Sequence, residues 1–164
     1  MSSIVPPKLS HLDARGRVRM VDVSAKPTTR REAVARGRVS MNRKTLALLR
    51  EGKTPKGNVI ATAHLAGVMA AKRTAELIPL AHALPLDGID LHFDLDAHPD
   101  AVMIEARVLT KARTGVEMEA LTAVAVAALT LYDMLKAVDR GMVIGEIALW
   151  EKRGGRSGTY RRRG

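Results

Sequence analysis

The stretch "RTGVEMEALTAVAVAALTLYDMLKAV", residues 113–138, does most to limit what this chain can become. It reads as one long helix whose middle is almost all Ala, Val and Leu. Glu117 and Glu119 stand at its start, Asp133 and Lys136 near its end. A helix this apolar has to be covered on most sides. A second long helical pattern follows Asn58, a good N-cap, and runs to about Leu77, where Pro79 stops it. The most apolar run, residues 120–132, is interrupted by two threonines and is too short to cross a bilayer. Both helices are therefore expected to find cover in a protein core.

Strand patterns supply that cover. Residues 31–41 alternate as a strand does, and Asn42 caps a short helix that Gly52 stops. Residues 88–110 read as a hairpin. Leu91, Phe93, Leu95 and Ala97 share one face of its first strand, His98, Pro99 and Asp100 make its turn, and its second strand runs from about Ala101 to Thr110. A last strand covers residues 143–152. The order strand, helix, strand, strand, helix, strand is the split βαβ pattern. It predicts a ferredoxin-like α+β fold: a mainly antiparallel sheet with two long, mutually antiparallel helices on one face. Residues 1–30 are expected to be an extension with a short strand at 20–24, residues 31–152 the domain, and residues 153–164 a flexible basic tail.

Composition narrows the function classes. With 46% hydrophobic but only 2% aromatic residues, the core must be aliphatic. The absence of cysteine excludes disulfides, thiolate metal sites and a cysteine nucleophile, and fits a reducing cytoplasm. Residues 1–13 lack the basic-then-apolar pattern of a signal peptide. The formal charge of +10 invites a nucleic-acid reading, but half of it sits in residues 151–164, and only Phe93, Tyr132, Trp150 and Tyr160 could stack on bases. A polyphosphate substrate accounts for the charge equally well.

The charged residues fall into two groups. On a helix, Glu119 and Asp133 share a face to within about 40° but lie about 21 Å apart along the axis. Lys56 and Lys72 are separated by about 24 Å along the other helix. Antiparallel helices then gather Lys56, Asp133 and Lys136 at one end, and Lys72, Glu117, Glu119 and His82 at the other. Each group resembles half a site that a two-fold dimer would complete. The same charges also suit ordinary helix pairing and the macrodipole, and His82 also suits a packing role in its apolar loop. Glu117 and Glu119, about 200° apart on a helix, share a pocket only if the helix starts late or the first turn is irregular. His92, Asp94, Asp96 and His98 read as the polar alternates of a strand rather than a metal cage. "GGRSG", residues 154–158, offers backbone N–H groups and an arginine to phosphate but is no P-loop.

Four stretches, in order and at matching spacing, resemble a known family: "SHLDARGRVRMVDVSAK", "KGNVIATAHLAGVMAAKRTAELIPLAHALPL", "TGVEMEALTAVAVAALTLYDMLKAV" and "GGRSG". The family is cyclic pyranopterin monophosphate synthase, a phosphorus–oxygen lyase of molybdenum cofactor biosynthesis, and the likeness covers residues 9–158. It implies a ferredoxin-like subunit in a homohexamer, a trimer of dimers with active sites at the dimer interface. The implied substrate is 3′,8-cyclo-7,8-dihydroguanosine 5′-triphosphate, supplied by a radical S-adenosylmethionine GTP cyclase. The product is cyclic pyranopterin monophosphate, with pyrophosphate released. By motif, Asp133, Lys136 and Lys56 fall on catalytic positions. Leu80, Ala81, His82, Glu117, Met118, Glu119 and Lys72 fall on substrate-binding ones. No resident metal or cofactor is implied, with Mg²⁺ accompanying the triphosphate left open, and neither nucleic acid nor membrane is an expected partner. Where the family usually reads "LCHPL", this chain reads "LAHAL", with Ala81 and Ala83 replacing cysteine and proline. The alternative class is a non-catalytic ferredoxin-like module binding RNA or a regulatory ligand.

Overall fold

A computed structural model describes residues 15–163. Its elements are β1 (Thr29–Ser40), α1 (Arg43–Arg50), α2 (Val59–Lys72), α3 (Thr74–Leu77), β2 (Gly88–Asp94), β3 (Ala101–Ala112), α4 (Glu117–Leu135), β4 (Val143–Arg153) and β5 (Tyr160–Arg161). The strands form one sheet in the order β2-β3-β1-β4-β5, antiparallel throughout. With β5 set aside, this is the ferredoxin-like arrangement, and α2 and α4 pack together on one face of the sheet.

Alternation decides which face that is. Ala33, Ala35 and Val39 of β1 and Val102, Ile104, Ala106 and Val108 of β3 are buried under the helices. Helix α4 lays Ala120, Ala123, Val124, Ala127, Leu131 and Leu135 on them at spacings of three and four. Helix α4 is shorter than the reading over residues 113–138, starting late at Glu117 and ending at Leu135. Its 19 residues are apolar enough by composition to cross a membrane, yet more than half of its most apolar window is buried in the fold. It is the core helix. Small side chains let α2 approach closely: a β-carbon at Gly67 would stand 2.5 Å from Leu91 Cδ2 and 3.0 Å from the Ala123 carbonyl oxygen.

Both asparagine caps form as read, Asn42 accepting from Thr45 N and Asn58 from Ala61 N. Several boundaries move. The helix expected to reach Leu77 breaks at Arg73, because the buried Thr74 hydroxyl donates to the Ala70 and Ala71 carbonyls. Strand β2 stops at Asp94, whose carboxylate accepts from the Asp96 and Ala97 N–H groups and turns the chain early. Residues 20–24 form no strand. The tail is not wholly free: Tyr160 pairs with Lys152, and Arg161 with Glu151.

Trp150 was not expected on the open face of the sheet. A register shift in the β1–β4 ladder, with Val34 opposite Glu151 but Ala35 opposite Leu149, reverses the alternation there and puts Trp150 beneath the Arg36 guanidinium at 4.7 Å. Phe93 packs against the core, as its alternation implied.

Candidate active site

The turn before α2 carries Lys56. Gly57, at φ 79°, and a 2.6 Å hydrogen bond from the Thr54 hydroxyl to the Gly57 carbonyl shape that turn. From it the Lys56 ammonium donates to the backbone carbonyl of Asp133 at 2.9 Å and lies 3.4 Å from Oδ2 of its carboxylate. Lys136, the C-cap of α4, places Nζ 2.7 Å from the other oxygen. Asp133 is thus held between two cations. The Lys136 hydrogen bond first, then that of Lys56, keeps its carboxyl below the usual range. All three side chains remain about half exposed.

The other end of α4 is shut in. Glu119 is buried at 4% exposure. Burial pushes its carboxyl above the usual range, its own backbone N–H pulls back, and the neighbouring Glu117 charge pushes it further up. Helix α4 begins at Glu117, with Val116 as an N-cap that makes no side-chain cap bond. From this first helical position, with no preceding turn beneath it, the Glu117 carboxylate folds back over Gly115, where a β-carbon would collide with it, and reaches Lys152 at 3.4 Å. Both glutamates therefore line one cavity despite their angular separation.

That cavity, about 400 Å³, is also walled by Leu80, Ala81, His82 and Met118. His82 Nε2 makes a 2.8 Å hydrogen bond to the Val21 carbonyl, so the ring anchors the segment before β1 while facing the cavity. A smaller hollow of about 340 Å³ adjoins through His82, Leu84 and Glu119, and Lys72 lines it. The structure brings Lys72, Leu80, Ala81, His82, Glu117, Met118 and Glu119 together. Within one chain it leaves Lys56, Asp133 and Lys136 at the opposite end of the helix pair.

Of a third compartment, sequence reasoning offered one wall, the loop at residues 154–158, and missed the rest. Sharing Lys26, Thr114, Gly115 and Glu117 with the glutamate cavity is a cleft of about 810 Å³ walled by Arg31, Arg113, Lys152, Arg153, Gly154, Gly155, Arg156 and Ser157. Six of its lining side chains are cationic, against Glu32 and Glu117. The Thr29 hydroxyl and the Arg31 Nε are buried there and find no hydrogen-bond partner among the described residues. Unpaired buried donors beside a cationic wall and a glycine loop suit an anion with several oxygens. The signal was present in "SAKPTTRRE" and "KARTG". Their convergence depends on register, since Thr29 pairs with Ala112 and Glu32 with Arg153, which gathers the ends of three strands.

The polar residues of the hairpin are taken up singly. Asp94 caps its own turn, Asp96 pairs with Arg50 at 3.1 Å, and His98 lies 2.7 Å from Asp100.

Comparison with known proteins gives a consistent picture. The family described as MoaC matches residues 20–155. A cyclic pyranopterin monophosphate synthase of Thermomicrobium roseum is 64% identical over 155 residues, 94% of this chain and 93% of the relative. Proteins of the same name from Heliobacterium modesticaldum and Pelotomaculum thermopropionicum are 62% and 61% identical, covering 93% and 95% of this chain and 96% and 92% of their own lengths.

Proposed function

The chain belongs to the MoaC family, and from that premise we propose that it is a cyclic pyranopterin monophosphate synthase of molybdenum cofactor biosynthesis. Its substrate is 3′,8-cyclo-7,8-dihydroguanosine 5′-triphosphate, delivered by a radical S-adenosylmethionine GTP cyclase. The reaction rebuilds the purine-derived rings and closes a cyclic phosphate. In the phosphate step, a sugar oxygen attacks the α-phosphorus, the bond to the β-phosphate breaks, and pyrophosphate leaves.

Each compartment suits one part of this work. The cationic cleft receives the triphosphate, and its fixed charges and donors stabilise the departing pyrophosphate. The middle cavity holds the ring system, with Glu117 and Glu119 placed for its N–H groups and His82, Leu80, Ala81 and Met118 around it. Ala81 gives that cavity a small apolar wall where the family usually has cysteine. Lys72 flanks the ring site. Asp133, ionised between Lys56 and Lys136, is suited to relay protons during ring opening and closure.

The observation that carries the assembly is the split itself. Glu119 and Asp133 lie about 21 Å apart on one rigid helix, too far for one small substrate. A two-fold dimer would bring one chain's Lys56–Asp133–Lys136 group to its partner's cavities. Three such dimers make the hexamer of this reading. Exposed apolar side chains on the helix layer, Leu65 and Met69 of α2 and Leu129 of α4, support a covered surface there. The experiment is to mix inactive Lys56→Ala chains with inactive Glu119→Ala chains and assay turnover. Recovered activity is expected. No recovery from mixed oligomers shown to form would overturn the shared site.

The reading takes no resident cofactor, and any Mg²⁺ arrives with the triphosphate. It places the protein in the cytoplasm. The RNA-binding alternative finds little support: among the described residues the aromatic on the open sheet face, Trp150, lies under the Arg36 guanidinium.

A further inference from the structure

The family match ends at residue 155, but the wall of the cationic cleft continues to Ser157, and the chain then turns back along the sheet edge as β5. The connection between β4 and β5 holds three glycines at positive φ, Gly154, Gly155 and Gly158. Space also requires the first to be glycine, because a β-carbon at Gly154 would run into the Arg30 carbonyl, whereas one at Gly155 would displace the Arg31 guanidinium. Glycine-rich backbone loses the most conformational freedom on ordering, so something has to hold this loop.

Few contacts inside the loop do so: Gly158 N donates to the Gly155 carbonyl at 3.1 Å, and Lys152 Nζ donates to the Ser157 hydroxyl at 2.6 Å. The far end is tied by β5. Arg162 N donates to the Trp150 carbonyl at 2.8 Å, Lys152 pairs with Tyr160, and Arg161 Nε lies 3.4 Å from Glu151 Oε1. None of residues 160–163 lines the cationic cleft. Arg161 and Tyr160 are exposed, so backbone pairing rather than burial keeps the strand in place.

We propose that β5 is a brace: by pairing with β4 it closes the glycine loop at both ends and holds it in the shape that receives phosphate oxygens. Residues 160–162 are then positioning residues for anion recognition. The inference rests on reading the cleft as the polyphosphate site. Its physical basis is preorganisation, since a loop tied at both ends has less freedom left to lose when an anion binds. The tail arginines offer a competing explanation through their charge alone, and one backbone atom separates the two.

Arg162→Pro removes both the side-chain charge and the N–H donor to Trp150, whereas Arg162→Ala removes only the charge. Affinity of the full chain for inorganic tripolyphosphate is measured by calorimetry, beside KM and kcat. The brace predicts about three- to tenfold weaker binding and a raised KM at unchanged kcat for Arg162→Pro, roughly the worth of one hydrogen bond, with Arg162→Ala close to the parent. Equal weakening in both variants, or weakening in neither, overturns it. If the parent chain binds no tripolyphosphate, the polyphosphate reading of the cleft fails, and the brace is judged by hydrogen exchange at the Gly158 amide. Faster exchange in Arg162→Pro alone supports it, and unchanged exchange overturns it.

Discussion

Lys56 donates to the backbone carbonyl of Asp133 at 2.9 Å, tying the turn before α2 to the last turn of α4. The bond belongs at once to the packing of two core helices and to the candidate proton-transfer group. Because the acceptor is a backbone carbonyl, changing the Asp133 carboxylate tests function while leaving this bond in place.

Asp133→Asn keeps the shape and removes the charge between Lys56 and Lys136. Turnover is expected to fall by about 10²- to 10⁴-fold, the range for losing a positioned acid or base. Both ion pairs are exposed and screened, so the melting temperature should scarcely move. A product assay beside a thermal melt checks both halves, and near-normal turnover would remove Asp133 from the proton relay.

Glu119 is a buried carboxyl whose folded-state pKa is raised by desolvation. The folded state therefore holds its proton more tightly than the unfolded chain does. No penalty exists below the unfolded value, near 4.5. As pH rises from there through the raised folded value, stability is lost, and the loss persists at neutral pH. Glu119→Gln should be more stable than the parent at pH 7 and lose that advantage toward pH 4, while its activity falls. Denaturant melts at the two pH values decide it; an advantage of the same size at both would refute the assignment.

Gly155→Ala should weaken phosphate recognition. The residue has φ 75°, where a side chain costs about 1–2 kcal/mol, and the new methyl would push against the Arg31 guanidinium. A rise of about tenfold in KM is expected, with kcat less affected and product inhibition by pyrophosphate relieved. Unaltered KM would mean that the loop does not shape the cleft.

Gly67→Ala should be costly in the core. The added methyl meets Leu91 Cδ2 at 2.5 Å and the Ala123 carbonyl at 3.0 Å, and the carbonyl is backbone that cannot step aside. Destabilisation of about 1–3 kcal/mol is expected, together with reduced turnover, because shifting α2 from α4 moves Lys56 away from Asp133. Denaturant titration with a parallel assay measures both.

Most of the fold was legible in the chain because its signals are local. Asn42 and Asn58 cap the helices that follow them, alternation marks β1 and β3, and the order of elements selects the ferredoxin-like arrangement. The motifs around Glu117, Asp133, Lys56 and His82 pointed to the family, and spacing along α4 already separated Asp133 from Glu119. What sequence could not settle depends on contacts between distant segments. The break at Arg73 follows from burial of Thr74, and the common cavity of Glu117 and Glu119 from a helix that starts late over Gly115. The cationic cleft exists because strand pairing brings Lys26, Arg31, Arg113 and Lys152 to one corner of the sheet. Periodicity reports which way a side chain faces within its own element. Only the register between elements decides which side chains meet.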